Sequence, residues 1–358
     1  MPNTIIIGSG SYLPERIITR DHFMDSEFYS DEGELLTKPN AEVIQKFVDI
    51  TEIENRRYIK DGEVNSDLGA RAAEEAIADA NISKEDLDFI IYASNFGDVD
   101  ENGMSNFMPS ISSRVKNKLK IKNRKCINYD MIFGCPGWVE AMILADTIIK
   151  SGKGKLILVI GAETLSRVTD PHDRNKMIFA DGAGAVVVKA TDEENVGMIS
   201  DKTVCDNAEE LMFLENSPSL NKSAEQKTLY IRMHGRKIYE YALKNVPDAI
   251  KETIDAANLD IDDIDKILIH QANAKMDYAM ISRLFKLYGK KEYDHVVSPM
   301  TIQELGNSSV ATIPTMFDLI RKGKMANQSF KEGGNIVFAS VGAGMNINAI
   351  VYRFPTKK

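Results

Sequence analysis

Two hydrophobic patterns alternate along this chain. Short continuous apolar runs recur at residues 4–10, where Ile5, Ile6 and Ile7 stand together, at Phe89–Ala93, and at residues 155–160, 266–269, 336–340 and 348–354. Such runs predict strands buried on both faces. Between them, residues 41–49, 66–80, 110–119, 233–243, 248–257, 274–288 and 310–322 repeat apolar side chains three and four apart, the spacing of helices. Ser66 is the expected N-cap of the second of these. Residues 125–133 predict a strand that ends in Gly134-Cys135-Pro136-Gly137. Val139, Met142, Ile143, Ala145, Ile148 and Ile149 then mark an apolar helix entered at Pro136 or just after. Residues 181–188, DGAGAVVV, predict a glycine turn and a strand. No Lys-Ser/Thr follows and no helix opens there, so a phosphate loop is not indicated. Residues 97–103 and 205–227 carry no period. Residues 21–40, acidic and aromatic, predict an insertion or lid, with a solvated loop as the competing outcome.

The layering occurs twice. Residues 75–93, EAIADANISKEDLDFIIYA, lie over residues 252–270, ETIDAANLDIDDIDKILIH, without a gap at a constant offset of 177. Gly161-Ala162 finds an echo in Gly342-Ala343. Duplication predicts two similar α/β halves, residues 1–192 and 193–358, divided in the polar stretch 191–195. Stacked, they give a five-layered α/β/α/β/α body with a site between the halves.

Composition narrows the class. The chain has 358 residues, 43% hydrophobic and 27% charged, as a soluble protein does. A net charge of −9 argues against general nucleic-acid affinity, and an acidic partner would need a local basic patch. Basic residues do cluster at residues 114–125, where a solvated surface is the simpler expectation. The opening MPNTIIIGSGSYLP has no charged segment ahead of a long apolar core, and no run reaches membrane-span length. Cys126, Cys135 and Cys205 form no CxxC, so neither a zinc site nor a disulfide framework is expected, and a cytoplasmic setting is.

Three positions carry chemistry. Cys135 stands between glycines at the mouth of a helix, where the dipole and free N–H groups favour a thiolate; a buried structural cysteine is the competing reading. The repeat puts His270 at a strand end where the first half has Ala93. Asn307 lies in ELGNSSVATIP, a glycine turn opening a helix. Taken singly, His270 would be a structural histidine and Asn307 a cap or turn residue.

Together, GCPGW, DPHDRNKMIFADGAGA, MHGRKIYEYA, HQAN, GNSS and GAGMNINAIVYRF resemble, in order and spacing, the β-ketoacyl-acyl carrier protein synthase III family, on the thiolase fold. The resemblance covers nearly the whole chain. It implies a decarboxylative condensation of an acyl thioester with a malonyl carrier-protein thioester, the step that starts fatty-acid synthesis. Cys135 would carry the acyl group, and His270 and Asn307 would hold the enolate. The backbone N–H groups of Cys135 and Ala343 would form the oxyanion hole. Arg174 would contact the coenzyme A nucleotide, with an ion pair to Asp170, Asp173 or Asp181 as its alternative role. Asn273 would orient pantetheine or a water, and Tyr239 occupies an aromatic position of the coenzyme A mouth. Lys275, Arg283 and Lys286 share one helix side and would dock the acyl carrier protein. No cofactor or metal is implied, only coenzyme A or carrier thioesters as substrates. Phe107-Met108-Pro109 matches the family segment that enters the partner's acyl pocket in a homodimer. Thiolases use a second cysteine late in the chain, and here none follows Cys205.

The departures fall around the donor. Lys46 and Ile50 stand where the family has a tryptophan and an arginine, Glu52 replaces a glycine, and Glu240 a basic residue. Pro136 follows the nucleophile in place of a small residue, and Trp138 replaces a phenylalanine. The chain is longer near residues 21–42, where Phe28 or Tyr29 could replace the missing aromatic. These changes leave two further readings: a condensing enzyme or acyltransferase of specialised, resorcinol- or polyketide-type metabolism, and a non-catalytic homodimeric scaffold, against which the intact trio speaks.

Overall fold

The apolar runs pair into two sheets. The computed structural model of the chain describes residues 1–224 and 226–356. In chain order come strands β1 (Asn3–Tyr12), β2 (Arg16–Thr19), β3 (Asn55–Tyr58), β4 (Phe89–Ala93), β5 (Asp98–Val99), β6 (Ser105–Asn106), β7 (Ile127–Met131), β8 (Leu156–Thr164) and β9 (Asp181–Thr191). Helices α1 (Asn40–Thr51), α2 (Asn65–Asp79), α3 (Ile111–Lys118) and α4 (Gly137–Lys150) lie among them. The rest of the chain adds β10 (Gly197–Cys205), β11 (Leu214–Ser217), β12 (Tyr230–Met233), β13 (Ile264–Ile269), β14 (Asn335–Gly342) and β15 (Asn346–Arg353). Its helices are α5 (Gly235–Ala256), α6 (Ala274–Leu287), α7 (Ile302–Leu305) and α8 (Thr312–Arg321).

The duplication read from sequence is visible in the pairing. One sheet runs β1-β9-β8-β4-β7, the other β10-β15-β14-β13. In each, one parallel pair (β4 with β8, β13 with β14) is extended by two antiparallel neighbours. Only β7 has no counterpart. Alternate residues feed different layers, as the pleat requires. Ile157, Val159, Ile336 and Phe338 meet α4 and α8 in a core between the sheets. Leu158 and Ile160 face α2 and α3, while Val337 and Val351 face α5 and α6. The order is therefore α/β/α/β/α. Trp138 belongs to the middle layer, 5.6 Å edge-on from Phe338. No helix among the described residues is long and apolar enough to cross a membrane.

Several local expectations are corrected. DGAGA is strand, not turn: Gly182 and Gly184 pair in register with Glu163 and Gly161. A Cβ at Gly184 would stand 2.6 Å from Thr315 N, and one at Gly161 2.4 Å from Val310 O, so these glycines let the start of α8 rest on the sheet. Residues 233–243 and 248–257 join into one helix, α5, through Pro247. Tyr241, Val246, Ile250 and Ile254 are buried on one continuous face, which offsets the cost of about 3 kcal/mol for an interior proline. Ser66 lies inside α2, not at its cap; its N–H and hydroxyl both donate to Asp98, at 2.7 and 2.8 Å. The β1 strand alternates, with Ile6 buried and Ile5 and Ile7 only half-buried, because one face of this strand is less covered. Residues 21–40 are largely exposed, as a solvated loop would be, but are anchored at two rings. Phe23 and Phe28 pack with Ile18, Ile44 and Met177, and Arg56 lies 5.0 Å over the Phe23 ring. Within the basic run, Arg114 pairs with Asp98 at 2.7 Å and Lys118 with Asp67 at 2.6 Å.

Candidate active site

Cys135 sits where β7 turns into α4, with Pro136 as the N-cap. Gly134 has φ +68°, and a Cβ there would stand 2.7 Å from Ala343 N. A Cβ at Gly342 would stand 2.5 Å from Cys135 N. Only glycines allow this approach, and it brings the Cys135 and Ala343 backbones together. Burial pushes the Cys135 thiol up to about 11, against a hydrogen bond from Ser309 that lowers it; the neighbouring Glu163 adds to the rise. The resting group is therefore a thiol. Desolvation thus works against the expected thiolate.

His270 follows β13 and is 3% exposed, its N–H donating to Ala339 O at 2.8 Å. Burial pushes the imidazole down to about 4, while a hydrogen bond with the Ser309 backbone works the other way. The ring is neutral at pH 7, and its Nδ1 has no partner among the described residues. Asn307 is 2% exposed. Its N–H donates to Ile178 O at 2.9 Å and its carbonyl accepts from Ala180 N–H at 2.8 Å. Its Oδ1 accepts from Ser309 N–H at 2.8 Å, which leaves the amide NH₂ as the free end. The structure thus brings Cys135, His270 and Asn307 around one residue, Ser309. Sequence reasoning missed Ser309, although it lies in GNSS. It also missed Glu163, a fully buried carboxyl held up to about 8 by burial, whose Oε1 accepts from Asn95 N–H at 2.5 Å.

Two spaces open here. Cys135 lines a cavity of about 320 Å³ with Phe96, Phe133, Leu165, Phe179 and Ile231. Beyond it, a cleft of about 860 Å³ is lined by Lys38, Lys46, Arg174, Tyr239, Asn273 and others. Ile178 faces the cleft and Phe179 the cavity, so consecutive residues separate them. Among the described residues Arg174 has no ion-pair partner. Arg232 approaches Asp170 and Asp173, at 3.8 Å each, and Asp181 accepts from Ile59 N–H at 2.7 Å. Asn273 caps α6 through Oδ1, at 3.2 Å from Met276 N, so one end of its amide is committed. Tyr239 is 41% exposed at the cleft. Lys275, Arg283 and Lys286 are exposed on α6, whose first turn lines the same cleft. The insertion supplies no ring to it: Phe28 is 1% exposed in its own small core, and Tyr29 packs edge-on against His172 at 5.2 Å. It supplies Leu36, Thr37 and Lys38 instead.

Residues 129–207 match the family described as 3-oxoacyl-[acyl-carrier-protein (ACP)] synthase III, and residues 254–354 match its C-terminal family. The chain is 34% identical over 352 residues to the β-ketoacyl-[acyl-carrier-protein] synthase III of Thiobacillus denitrificans, covering 98% of each. To that of Clostridium acetobutylicum it is 32% identical over 361 residues, covering 99% of each. Among solved structures it is similar to 3-oxoacyl-[acyl-carrier-protein] synthase III from Aquifex aeolicus. The TM-score is 0.79 at 29% identity, over 98% of this chain and 100% of that one.

Proposed function

The chain belongs to the 3-oxoacyl-[acyl-carrier-protein] synthase III family, and from that premise we propose that it starts fatty-acid synthesis through an acyl-Cys135 intermediate. The Cys135 sulfur attacks an acyl thioester, its bond to the acyl carbon replacing the donor's carbon–sulfur bond, and the thiol proton leaves with the donor thiol. The N–H groups of Cys135 and Ala343 hold the oxyanion, each such donor contributing about 10²–10³ in rate. Malonyl thioester then loses carbon dioxide, and hydrogen bonds from His270 and the Asn307 NH₂ hold the enolate oxygen. The enolate carbon attacks the acyl-Cys135 carbonyl and the sulfur departs as thiolate. The observation that carries this reading is the Ser309 N–H on Asn307 Oδ1, which fixes the amide with its donor end free. The test incubates the protein with acyl donors and malonyl carrier protein, reading Cys135 by digestion and mass, and carbon dioxide by release. Label on Cys126 or Cys205, with Cys135 unmodified, overturns it.

The donor follows from the cleft. Its cations Lys38, Lys46 and Arg174, without an ion pair among the described residues, suit the phosphate of a phosphopantetheine arm, and Lys275, Arg283 and Lys286 beside it suit an acidic carrier protein. The cavity of about 320 Å³ exceeds the need of an acetyl group; an apolar cavity of about 150 Å³ already holds benzene. A longer, carrier-bound acyl group is the primer this favours. In competition at equal concentration, medium-chain acyl-carrier protein should acylate Cys135 ahead of acetyl-coenzyme A; the reverse order refutes it.

The enzyme works as a cytoplasmic homodimer of two-part chains, residues 1–192 and 193–358. Among the described residues, β7 pairs with β4 alone, so its outer edge is open. Ile127, Tyr129 and Ile132 are exposed along it, and Met108, nearby in the chain, is 89% exposed. An open apolar edge of this kind is one that pairing covers.

A further inference from the structure

One residue lies beside the members of the site. Ser309 donates its N–H to Asn307 Oδ1 at 2.8 Å and lines the same cavity as Cys135, where its hydroxyl works to lower the thiol and its backbone to raise the His270 imidazole. It is 4% exposed and lines the Cys135 cavity. Its φ is +52°, the left-handed region that a non-glycine residue keeps only where its surroundings fix it. Asn95 Nδ2 donates to the Ser309 hydroxyl oxygen at 3.5 Å. With that lone pair engaged, the hydroxyl proton is free to point at the sulfur.

We propose that the Ser309 hydroxyl is a positioning group for the nucleophile, holding the Cys135 sulfur at the cavity and donating to it as it becomes thiolate, while the same residue's main chain sets Asn307 and His270. This rests on Cys135 being the reacting group. A carboxylate could not serve in place of the hydroxyl, since it would repel the thiolate. Glu163, the titratable group that raises Cys135 by its charge, titrates at about 8 and is ionised over the range where the thiol, at about 11, titrates. The neighbouring His270 ring is neutral there.

The experiment is the pH profile of Cys135 alkylation by iodoacetamide in the full chain, read by digestion and mass. It needs no acyl donor, so it stands even if the proposed condensation fails. Ser309→Ala keeps a side chain at the same backbone angle and removes only the hydroxyl. A hydrogen bond to a charged group is lost, so the profile should move up by about one pH unit or more, roughly a tenfold fall in alkylation at fixed pH. Ser309→Gly also removes the hydroxyl but relieves the left-handed φ, so it folds where the alanine variant does not. It should show the same shift. The profile is repeated in a Glu163→Gln background, where the shift should persist. An unshifted profile in the folded alanine variant, or a normal profile in the glycine variant, overturns the proposal.

Discussion

Replacing Asn307 separates holding the enolate from building the site. Its Oδ1 accepts from the buried Ser309 N–H at 2.8 Å, and its backbone is fixed independently by bonds to Ile178 and Ala180. Asn307→Ala therefore removes two things: the NH₂ that would meet the enolate, and the acceptor for Ser309. Orphaning a buried donor costs about 1–3 kcal/mol of stability. Losing one donor to a developing oxyanion costs about 10²–10³ in rate. Asn307→Asp divides the two. It keeps an acceptor for Ser309, so stability should stay close to the parent. It has no NH₂ and brings a negative charge toward the enolate, so carbon dioxide release should fall by at least the same 10²–10³. Acylation of Cys135 should survive in both variants, because that oxyanion is assigned to backbone N–H groups. The assays are carbon dioxide release from malonyl carrier protein, single-turnover acylation by intact mass, and denaturant unfolding. Parental carbon dioxide release by the folded aspartate variant would remove Asn307 from the enolate and refute the argument.

Glu163 offers a pH-dependent test. Its folded carboxyl titrates at about 8, raised by burial, against an ordinary 4.5. The folded chain thus keeps a proton that the unfolded chain releases. Its contribution is full below the ordinary value and is lost as pH climbs toward 8, by about 1.4 kcal/mol per unit. Glu163→Gln should gain stability on the parent across that window in denaturant unfolding; a constant difference between about pH 5 and pH 8 rejects the buried, protonated acid. Gly184→Ala should destabilise by about 1–3 kcal/mol, since its Cβ would meet Thr315 N at 2.6 Å and push the start of α8 off the sheet. A variant as stable as the parent refutes that close approach.

What was legible in the sequence was what local chemistry punctuates. Cys135, His270 and Asn307 each interrupt an apolar run at a turn, and the repeat aligned β4 with β13 before any pairing was visible. What was not legible depends on which distant group arrives. Among the described residues it is Arg232, not Arg174, that approaches Asp170 and Asp173. Ser309 is one polar residue of a glycine turn in the sequence, and only the folded backbone, with a φ of +52° there, sets its N–H on Asn307 Oδ1. The glycines of DGAGA suggested a turn because a strand glycine announces a close approach only when the approaching backbone is known. The thiolate expectation counted the helix start and not the burial of the sulfur.

The duplication also accounts for how the site is divided. The middle-layer helices α4 and α8 are counterparts, each preceding the strand, β8 or β14, that pairs in parallel with the strand carrying the repeat. Their starts meet: a Cβ at Gly137 would lie 3.3 Å from Val310 Cγ1. One start presents Cys135. The other presents Asn307 and Ser309. A helix start offers free N–H groups and a tightly turned backbone whichever half it belongs to. Two such starts facing each other bring the groups of both halves to one point. In the proposed reaction the acyl-transfer oxyanion takes the Cys135 N–H from one start and the Ala343 N–H from the end of β14, and the enolate takes the side chains of Asn307 and His270. The ends of the equivalent strands then differ for a physical reason. Ala93 is fully buried, 3.4 Å from where a Cβ on Gly137 would stand, and has no room for a ring. At the matching position of the second half, the site can take the imidazole of His270.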